Sequence, residues 1–366
     1  MARRGDSLDT IWPRPAHTKA KHDILVQYLQ AWFAIMGGSS LVKRAGVLDG
    51  FAGPGVYADG EPGSPLLVLN TLLDHDAFSR WDGTEFVFLF NEQDEARFRS
   101  LEATVADIAA TSPKNVSVQA VNRSFSDLAE AVLNDAEKTS LIPLFAFVDP
   151  FGYRDCSMDL IRRLLQYDKA ELFIYFDFNS ANRFAGKGVG VDERFKELFG
   201  TDEFVNAPVS GPERGRFLHD LYLRQLKQVC SFAHVQSFAM INESGHIGNY
   251  MFFCTRNLQA FDKMKAVMWK LDPSGAYRFE DRFAEQDVLF DDQAGTEALQ
   301  ADLAAHFAGQ EVLVQTVIDY VIAETPYHSG QVKTRTLKPM QAAGRISSPN
   351  QRRRGQFPDG TRIWFP

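Results

Sequence analysis

The sequence predicts an α/β protein whose mostly parallel β-sheet is followed by a small basic domain. In the first half, five short apolar runs alternate with helical patterns. Runs that are apolar on both faces are typical of parallel strands covered by helices on both sides. Two further apolar runs, joined by a turn, follow residue 230, and residues 331–366 contain eight Lys or Arg against one acid, Asp359.

The predicted elements of the first half follow from periodicity and from helix boundaries. In order they are helix 22–35, strand 45–48, helix 64–73, strand 85–90, helix 92–105, strand 116–121, a helix from about 126, strand 143–148, helix 158–165 and strand 172–176. In the first helix apolar residues recur at three- and four-residue steps, and Gly37-Gly38 ends it. Ser64-Pro65 supplies an N-cap followed by proline at the first helical position.

The second half predicts the end of the sheet and a separate domain. A helix at 214–229 precedes strands 235–241 and 249–255, which would add a sixth parallel and a seventh antiparallel strand, as in the sheet of a class I methyltransferase. We therefore predict an α/β domain over 1–275, a linker over 276–295 and a basic domain over 296–366. Helices at 299–307, 312–323 and 331–343 with a terminal hairpin are typical of a winged helix.

Composition limits the class of protein. A chain of 366 residues, 45% of them hydrophobic, is long enough for two domains with large cores. The net charge of -8 argues against a uniformly basic nucleic-acid coat but allows a local basic patch. The three cysteines are far apart, so neither a disulfide framework nor a zinc site is expected. With no apolar run of about 20 residues and no signal peptide, we expect a cytoplasmic protein without membrane segments.

A glycine-rich loop follows the first predicted strand, at Asp49-Gly50-Phe51-Ala52-Gly53-Pro54-Gly55. Asp49 could accept a hydrogen bond from a cationic amino group or fix the loop. Glycines let backbone approach a ligand closely, so we assign Phe51, Ala52, Gly53 and Gly55 with Asp49 to a cofactor site. An acidic residue at a strand end followed by such glycines is the pattern of S-adenosylmethionine enzymes.

Two alternatives to this cofactor site remain. The glycines also fit a dinucleotide fingerprint, but in that fold a helix begins at once and holds the pyrophosphate. Gly60, Pro62 and Gly63 delay the next helix until about Ser64, which weakens the dinucleotide interpretation. The other alternative is a structural turn without a ligand.

The ends of the next two strands supply further candidates. Glu92 follows the second strand, where an acidic residue typically binds ribose hydroxyls. Alternatively it caps the following helix, and both roles are compatible. After the third strand, residues 122–125 lie where an adenine would bind. They offer Asn122 and Ser124 in place of the usual acid.

Asp149-Pro150-Phe151-Gly152-Tyr153 ends the fourth predicted strand. In methyltransferases that act on amino groups of bases, an acid or amide followed by proline and an aromatic residue orients the acceptor amine. Orientation of this kind supplies much of the rate. We assign Asp149 and Pro150 to the acceptor, and Phe151 or Tyr153 to stacking, although a second proline is missing. A tight Pro-Gly turn is the structural alternative, and Asp177 and Asn179 end the fifth strand on the same edge.

Together these motifs resemble one family, the three-Cys-motif partner proteins (TcmP). The resemblance covers residues 20–270 and rests on Lys21-His22 and the apolar positions of the first helix, on Asp49 to Gly55 with Tyr57 and Gly63-Ser64-Pro65, and on Asp149 to Gly152. It implies a class I methyltransferase-like fold. It also implies a partner encoded nearby that carries the three cysteines and is similar to radical S-adenosylmethionine enzymes of the phage Gp37/Gp68 group.

The basic tail predicts a nucleic-acid surface. A winged helix would place Lys333, Arg335 and Lys338 on its recognition helix and Arg352, Arg353 and Arg354 on its wing, against phosphates. A solvated charged face or a dock for an acidic partner protein would produce the same composition. His22 and His328 have no metal-like neighbours in the sequence, so we expect no metal site there.

Three functional hypotheses follow. The first is an S-adenosylmethionine-dependent methyltransferase acting on nucleic acid, with a duplex base flipped out for reaction. The second is a nucleotide-binding adaptor, without methyl transfer, for the radical-enzyme partner. The third is a metal-dependent nuclease that uses Asp49, Asp149 and Asp177 around a divalent ion.

Overall fold

The computed structural model describes residues 16–136, 142–150, 156–188, 192–280 and 295–366. These residues form two compact units. The first holds the described residues up to Arg256 together with Phe279 and Glu280, and the second holds Asn257–Arg278 and 295–366. The sequence placed the boundary near 275 instead, and most of its proposed linker lies outside the described residues.

The first unit is built on a mostly parallel sheet in the order β3-β2-β1-β4-β5-β7-β6-β8. Its strands are β1 (Arg44–Asp49), β2 (Glu85–Asn91), β3 (Val116–Val121), β4 (Leu144–Val148), β5 (Ala170–Phe176), β6 (His234–Ile241), β7 (Ile247–Thr255) and β8 (Arg278–Glu280). Strands β1 to β5 pair in parallel, and β7 is antiparallel to both β5 and β6. The predicted sheet of a class I methyltransferase is confirmed.

Helices cover both faces of this sheet. They are α1 (Ala16–Gly37), α2 (Ser64–Leu73), α3 (Glu95–Thr111), α4 (Phe125–Ala136), α5 (Met158–Leu165), α6 (Phe178–Phe184), α7 (Asp192–Phe199) and α8 (Pro212–Gln228). Helices α6 and α7 were not predicted. The helix predicted from residue 92 begins at Glu95 because the side chain of Asp94 caps it, accepting a hydrogen bond from the backbone N–H of Arg97 at 3.0 Å.

Aromatic packing fixes α1 across one face of the sheet. The Phe33 ring lies 5.6 Å from Phe86 on β2, and the Tyr28 ring lies 5.5 Å from Phe145 on β4 and 4.9 Å from Phe253 on β7. All five side chains are buried. Burial of each such ring contributes about 1.5–3 kcal/mol. This packing holds the amino-terminal turns of α1 over the site described below.

The second unit contains α9 (Leu258–Leu271), α10 (Glu297–His306), β9 (Gln310–Leu313), α11 (Val314–Glu324), α12 (Lys338–Ala342) and β10 (Arg362–Phe365). A 3₁₀ turn at Ser329–Gln331 and a π-helical segment at Val332–Leu337 precede α12, where the sequence predicted one helix. The terminal strand was predicted to form a hairpin. Instead, β10 pairs antiparallel with β9, from before α11, and Trp364 also bridges to Ser347.

Polar contacts explain why α9 belongs to the second unit. The Lys265 ammonium donates to the carbonyl oxygens of Ile322 at 2.8 Å and Thr325 at 2.6 Å, at the end of α11. The carboxylate of Asp262 accepts hydrogen bonds from the backbone and hydroxyl of Ser329 at 2.7 and 2.6 Å. Among the residues that the structure describes, no helix is both long and apolar enough to cross a membrane.

Candidate functional site

Polar side chains from four strands meet at one edge of the sheet. Asp49 ends β1, Glu92 follows β2, Asp149 follows β4 and Tyr175 lies near the end of β5. Because these four strands run in parallel, their carboxyl ends share an edge, where open α/β sheets bind their ligands. The predicted candidates Asp49, Glu92 and Asp149 therefore belong to one site.

The glycine-rich loop is folded tightly against the sheet. Gly53 and Gly55 adopt φ values of +63° and +86°, which favour glycine. The backbone N–H of Gly63 donates to the Gly55 carbonyl at 2.8 Å, and Ala52 N–H donates to the carbonyl of Asn91 at 2.8 Å. A Cβ atom added at Gly53 would meet no other atom within 4 Å. These hydrogen bonds fix the loop, and the space at the Cβ position of Gly53 is open to a ligand.

Asp49 holds this loop in place. It is 1% exposed, one carboxylate oxygen accepts from the Ser64 hydroxyl at 2.6 Å, and the other accepts from the backbone N–H of Phe51 at 3.1 Å. Burial raises the pKa of the Asp49 carboxyl from 3.8 to about 7, against the opposing effect of these hydrogen bonds. Of the two roles considered from the sequence, the observed contacts are those of a loop anchor.

Glu92 joins the end of β2 to the loop. Its carboxylate accepts hydrogen bonds from the backbone N–H of Asp94, at 2.8 Å, and from that of Gly53. Burial raises the pKa of this carboxyl. Asn122 donates from its amide to the carbonyl oxygens of Glu92 at 2.7 Å and Gln93 at 2.9 Å, so its side chain supports the strand end.

A cavity of about 680 Å³ opens between the segments that follow β2 and β3 and the helices α5 and α7, which contribute Asp159, Glu193, Lys196 and Glu197 to its lining. Gln93, Ser124 and Phe125 line it, close to where the sequence placed an adenine. Phe51 stacks on Phe125 with ring centroids 5.1 Å apart, and a Cβ atom at Gly50 would lie 2.6 Å from the Phe125 ring. Gly50 is therefore required for the loop to pack against this wall of the cavity.

Asp149 is paired with Lys21, a residue of the first helix that was not predicted to belong to the site. The Lys21 ammonium lies 2.5 Å from a carboxylate oxygen of Asp149, and their side chains are 7% and 21% exposed. The same ammonium lies 4.8 Å from the centre of the Tyr175 ring. Lys21 falls three and four residues before Ile24 and Leu25, on the buried stripe of α1. A lysine on an apolar stripe is the signal that could have identified it.

Tyr175 extends the site toward β7. Its hydroxyl accepts a hydrogen bond from the Asn249 amide at 2.9 Å. Burial, reinforced by the negative charges of Asp149 and Asp177, raises the pKa of the phenol well above its ordinary value, so it stays protonated. Asn249 lies near the start of β7, which runs antiparallel and so begins at the same edge.

The remaining candidates at this edge are the residues that follow Asp149 after β4, and Asp177 after β5. Pro150 is buried after β4, whereas Phe151, Gly152 and Tyr153 lie outside the described residues. Asp177 caps α6 by accepting a hydrogen bond from Ser180 N–H at 3.1 Å.

Within the described ranges, no three His, Cys, Asp or Glu side chains are grouped as metal ligands would be. His328 caps the turn at Ser329–Gln331, accepting from the backbone N–H of Gly330.

The basic residues of the second unit are mostly solvent-exposed. Lys333 pairs with Asp359 at 3.3 Å, and Arg335 is half-buried on the π-helical segment. Lys338, Arg352 and Arg353 are exposed. Arg354 donates to the backbone carbonyl of Gln341 at 3.0 Å, which fixes the arginine-rich segment against α12.

Comparisons with known proteins give structural matches only. No family model and no curated protein matches the chain. Similar solved structures include yhhF of Escherichia coli, assigned as a methyltransferase, at 23% identity over 45% of this chain and 72% of that one, with a TM-score of 0.26. The N-terminal domain of human METTL16 in complex with SAH matches at 13% identity over 62% and 68%, with a TM-score of 0.29.

A sarcosine dimethylglycine methyltransferase assigned in Galdieria sulphuraria matches at 11% identity over 67% of this chain and 92% of its own, with a TM-score of 0.27. Because these TM-scores all lie below 0.5, the fold rests on the strand order and directions of this chain itself. Those establish a mostly parallel α/β sheet of the class I methyltransferase type.

Proposed function

We propose that this chain is an S-adenosylmethionine-dependent methyltransferase that acts on nucleic acid. The observation that supports this proposal is that three predicted site segments meet at one edge of a sheet with the class I strand order. The glycine-rich loop after β1, Glu92 after β2 and Asp149-Pro150 after β4 meet there. These are the positions at which an α/β sheet of this order would hold a nucleoside and present an acceptor.

The residues present fit this cofactor. Gly53 borders open space, where the amino-acid end can approach the backbone. A carboxylate has about four acceptor positions, and Glu92 uses two of them within the chain, which leaves room for ribose hydroxyls. Gln93, Ser124 and Phe125 border the neighbouring cavity, which suits an adenine. When bound, S-adenosylmethionine supplies an electrophilic methyl group.

Asp149 would orient the methyl acceptor. One of its carboxylate oxygens is held by Lys21, and the other can accept a hydrogen bond from an amino group of the substrate. Lys21 fixes the direction of the carboxylate and offsets its charge. In this proposal Pro150 contributes its carbonyl oxygen, and Phe151 or Tyr153 stacks on the acceptor.

The second unit supports a nucleic-acid substrate. Its elements follow the winged-helix order: α10, β9, α11, a helical segment ending in α12, the bridge at Ser347, and β10. Arg352, Arg353 and Arg354 fall between Ser347 and β10, in the position of a wing, and would contact phosphates together with Lys333, Arg335 and Lys338. Membership of the three-Cys-motif partner family, with a radical-enzyme partner, belongs to this proposal too.

Calorimetric titration of S-adenosylmethionine and S-adenosylhomocysteine into the full chain tests the cofactor. Gly53→Asp should abolish binding, because a carboxylate would fill the open space over the loop. Gly60→Asp is a matched control, since Gly60 also has a positive φ, of +82°, and open space at its Cβ position, but lies in the turn beyond the loop. Absence of binding, with or without the partner, would sink the methyltransferase proposal.

One observation favours the second hypothesis, an adaptor without methyl transfer. The Asp149 carboxylate is already paired with Lys21, as a structural carboxylate would be. Asp149→Ala separates the two, because it should abolish methyl transfer by an enzyme but leave an adaptor's binding to its partner intact. The nuclease hypothesis lacks comparable support, because Asp49, Asp149 and Asp177 are each engaged by a different group of the chain.

A further inference from the structure

A second cavity lies at the same edge of the sheet, beyond β5. Its volume is about 740 Å³, within the usual range for ligand sites. It opens between α6, α8 and the turn that joins β6 to β7. Aromatic rings, side-chain amides and a guanidinium line it, among them Phe178, Tyr250, His219, Asn179, Asn182 and Arg216.

The aromatic part of the lining is held in a fixed geometry. Tyr250 lies edge-on to Phe178, with ring centroids 5.2 Å apart at 85°, and the His219 ring lies 4.5 Å from that of Tyr250. The two ring nitrogens of His219 are hydrogen-bonded to Asp220 at 2.8 Å and to Ser237 at 2.9 Å. A wall of oriented rings suits stacking of a flat ligand.

The polar part of the lining can read the edge of such a ligand. Side-chain amides offer one acceptor and two donors, the combination that pairs with base edges. The Asn182 side-chain oxygen is buried and accepts no hydrogen bond from any residue that the structure describes. Because Asn182 also lines the cavity, a rotation of its amide would turn this unsatisfied acceptor toward a donor of the ligand.

The walls that carry these amides are rigid. The buried Arg214 guanidinium donates to the carbonyl oxygens of Asn182 at 2.7 Å, Ala185 at 2.7 Å and Pro208 at 3.0 Å. These bonds tie the end of α6 to α8. Arg216 lies two residues further along α8, where its exposed guanidinium can meet a phosphate.

The cavity is adjacent to the acceptor position. Tyr250 follows Asn249, whose amide donates to the Tyr175 hydroxyl, and Tyr175 lies level with Asp149 because Val148 pairs with Ile174. The path from β4 through β5 to β7 crosses two strand spacings, or roughly 10 Å. That distance is within the reach of one nucleotide.

We propose that this cavity binds an unpaired base of the nucleic-acid substrate, with its phosphate at Arg216. The inference rests on the proposed function and names the part of the substrate that this surface recognises. Aromatic stacking with amide readout is how proteins recognise bases that are not paired in a duplex. Substrate binding at this cavity therefore requires a single strand, a loop or a flipped nucleotide.

The test is calorimetric titration of AMP, GMP, CMP and UMP, and of their deoxy forms, into the full chain with excess S-adenosylhomocysteine. We expect at least one nucleotide to bind. Arg216→Ala should weaken its binding about tenfold but leave binding of the parent nucleoside unchanged. Arg224→Ala is the matched control, because Arg224 lies on the same helix, is exposed and pairs with Glu203 at 2.5 Å.

Asn182→Leu should remove the preference for one base. The inference is overturned if no nucleotide binds, or if neither Arg216→Ala nor Asn182→Leu changes the binding. Titration of S-adenosylhomocysteine into both variants separates this outcome from failure of the proposed function. If the cofactor binds as before but no nucleotide binds, only the inference of a base site fails. If a nucleotide binds in a way that depends on Arg216 but the cofactor does not bind, only the methyltransferase proposal fails.

Discussion

The Lys21 ammonium lies 2.5 Å from the carboxylate of Asp149, joining the first helix to the end of the fourth strand across 128 positions of sequence. Both side chains are largely shielded from solvent, at 7% and 21% exposure. Hydrogen bonds to charged groups at such sites stabilise more than exposed pairs do. The pair therefore connects the position of α1 to the geometry of the proposed acceptor site.

A double-mutant cycle measures this pair. Lys21→Met and Asp149→Asn should each lower the free energy of unfolding, with a coupling of about 1.5–3 kcal/mol, because each leaves the other group poorly satisfied. Lys19→Met with Asp23→Asn is the control, a Lys–Asp pair on the same helix at 57% and 43% exposure. Its coupling should stay below about 0.5 kcal/mol. Equal couplings in the two cycles would contradict a special role for Lys21.

The buried carboxyl of Asp49 predicts a pH dependence of stability. Its folded pKa of about 7 lies above its ordinary value of 3.8, so between these values the folded chain binds a proton that the unfolded chain has released. The contribution of Asp49 to the free energy of unfolding is therefore fully present below about pH 3.8 and is lost as the pH rises toward 7. Glu171, whose pKa burial also raises to about 7, acts in the same direction.

Asp49→Asn keeps one of the two acceptor oxygens and removes the titration. Relative to the unmodified chain, it should gain at least about 1 kcal/mol in free energy of unfolding between roughly pH 4.5 and pH 7.5, measured by chemical denaturation. Asp82→Asn, at an exposed position, controls for a general effect of charge removal. A variant with the same pH profile as the unmodified chain would show that Asp49 titrates normally.

Lys265 predicts a stability effect confined to the second unit. Its buried ammonium donates to the carbonyl oxygens of Ile322 and Thr325, which lack partners within α11 because they end that helix. Lys265→Met preserves much of the volume but removes the donors, and should cost about 1–3 kcal/mol in unfolding free energy. Lys263→Met, exposed on the same helix, should have little effect. If Lys265→Met leaves the free energy of unfolding unchanged, water satisfies the hydrogen-bonding needs of those carbonyl oxygens.

The arginine-rich segment predicts a salt-dependent interaction. Arg352→Ala and Arg353→Ala should weaken binding of a fluorescent single-stranded oligonucleotide regardless of sequence, and each should reduce the slope of log K against log salt by roughly 1. Lys263→Ala, an exposed charge on α9, is the control. If the unmodified chain binds the oligonucleotide and both arginine variants bind it with the same affinity, the nucleic-acid surface does not include these arginines.

Local patterns in the sequence determined most of the sheet. The apolar run from Phe86 to Phe90 identified β2, because a strand of a parallel sheet that is covered on both sides is apolar at successive positions. Ser64-Pro65 marked the start of α2, although the N-cap is Gly63 and not Ser64, whose hydroxyl donates to Asp49 instead. The glycines of the loop require conformations that other residues avoid. The positions of Asp49, Glu92 and Asp149 at one edge follow from the same patterns, because parallel strands end together.

Only the tertiary structure decided which distant residues meet. Lys21 has no local signal of its partner beyond its place on an apolar stripe, and Asp149 lies far away in the sequence. The pairing of β10 with β9, rather than in a local hairpin, and the assignment of α9 to the second unit depend in the same way on long-range contacts. Periodicity reports which face of an element is buried, whereas the group it is buried against is fixed by packing of the whole unit.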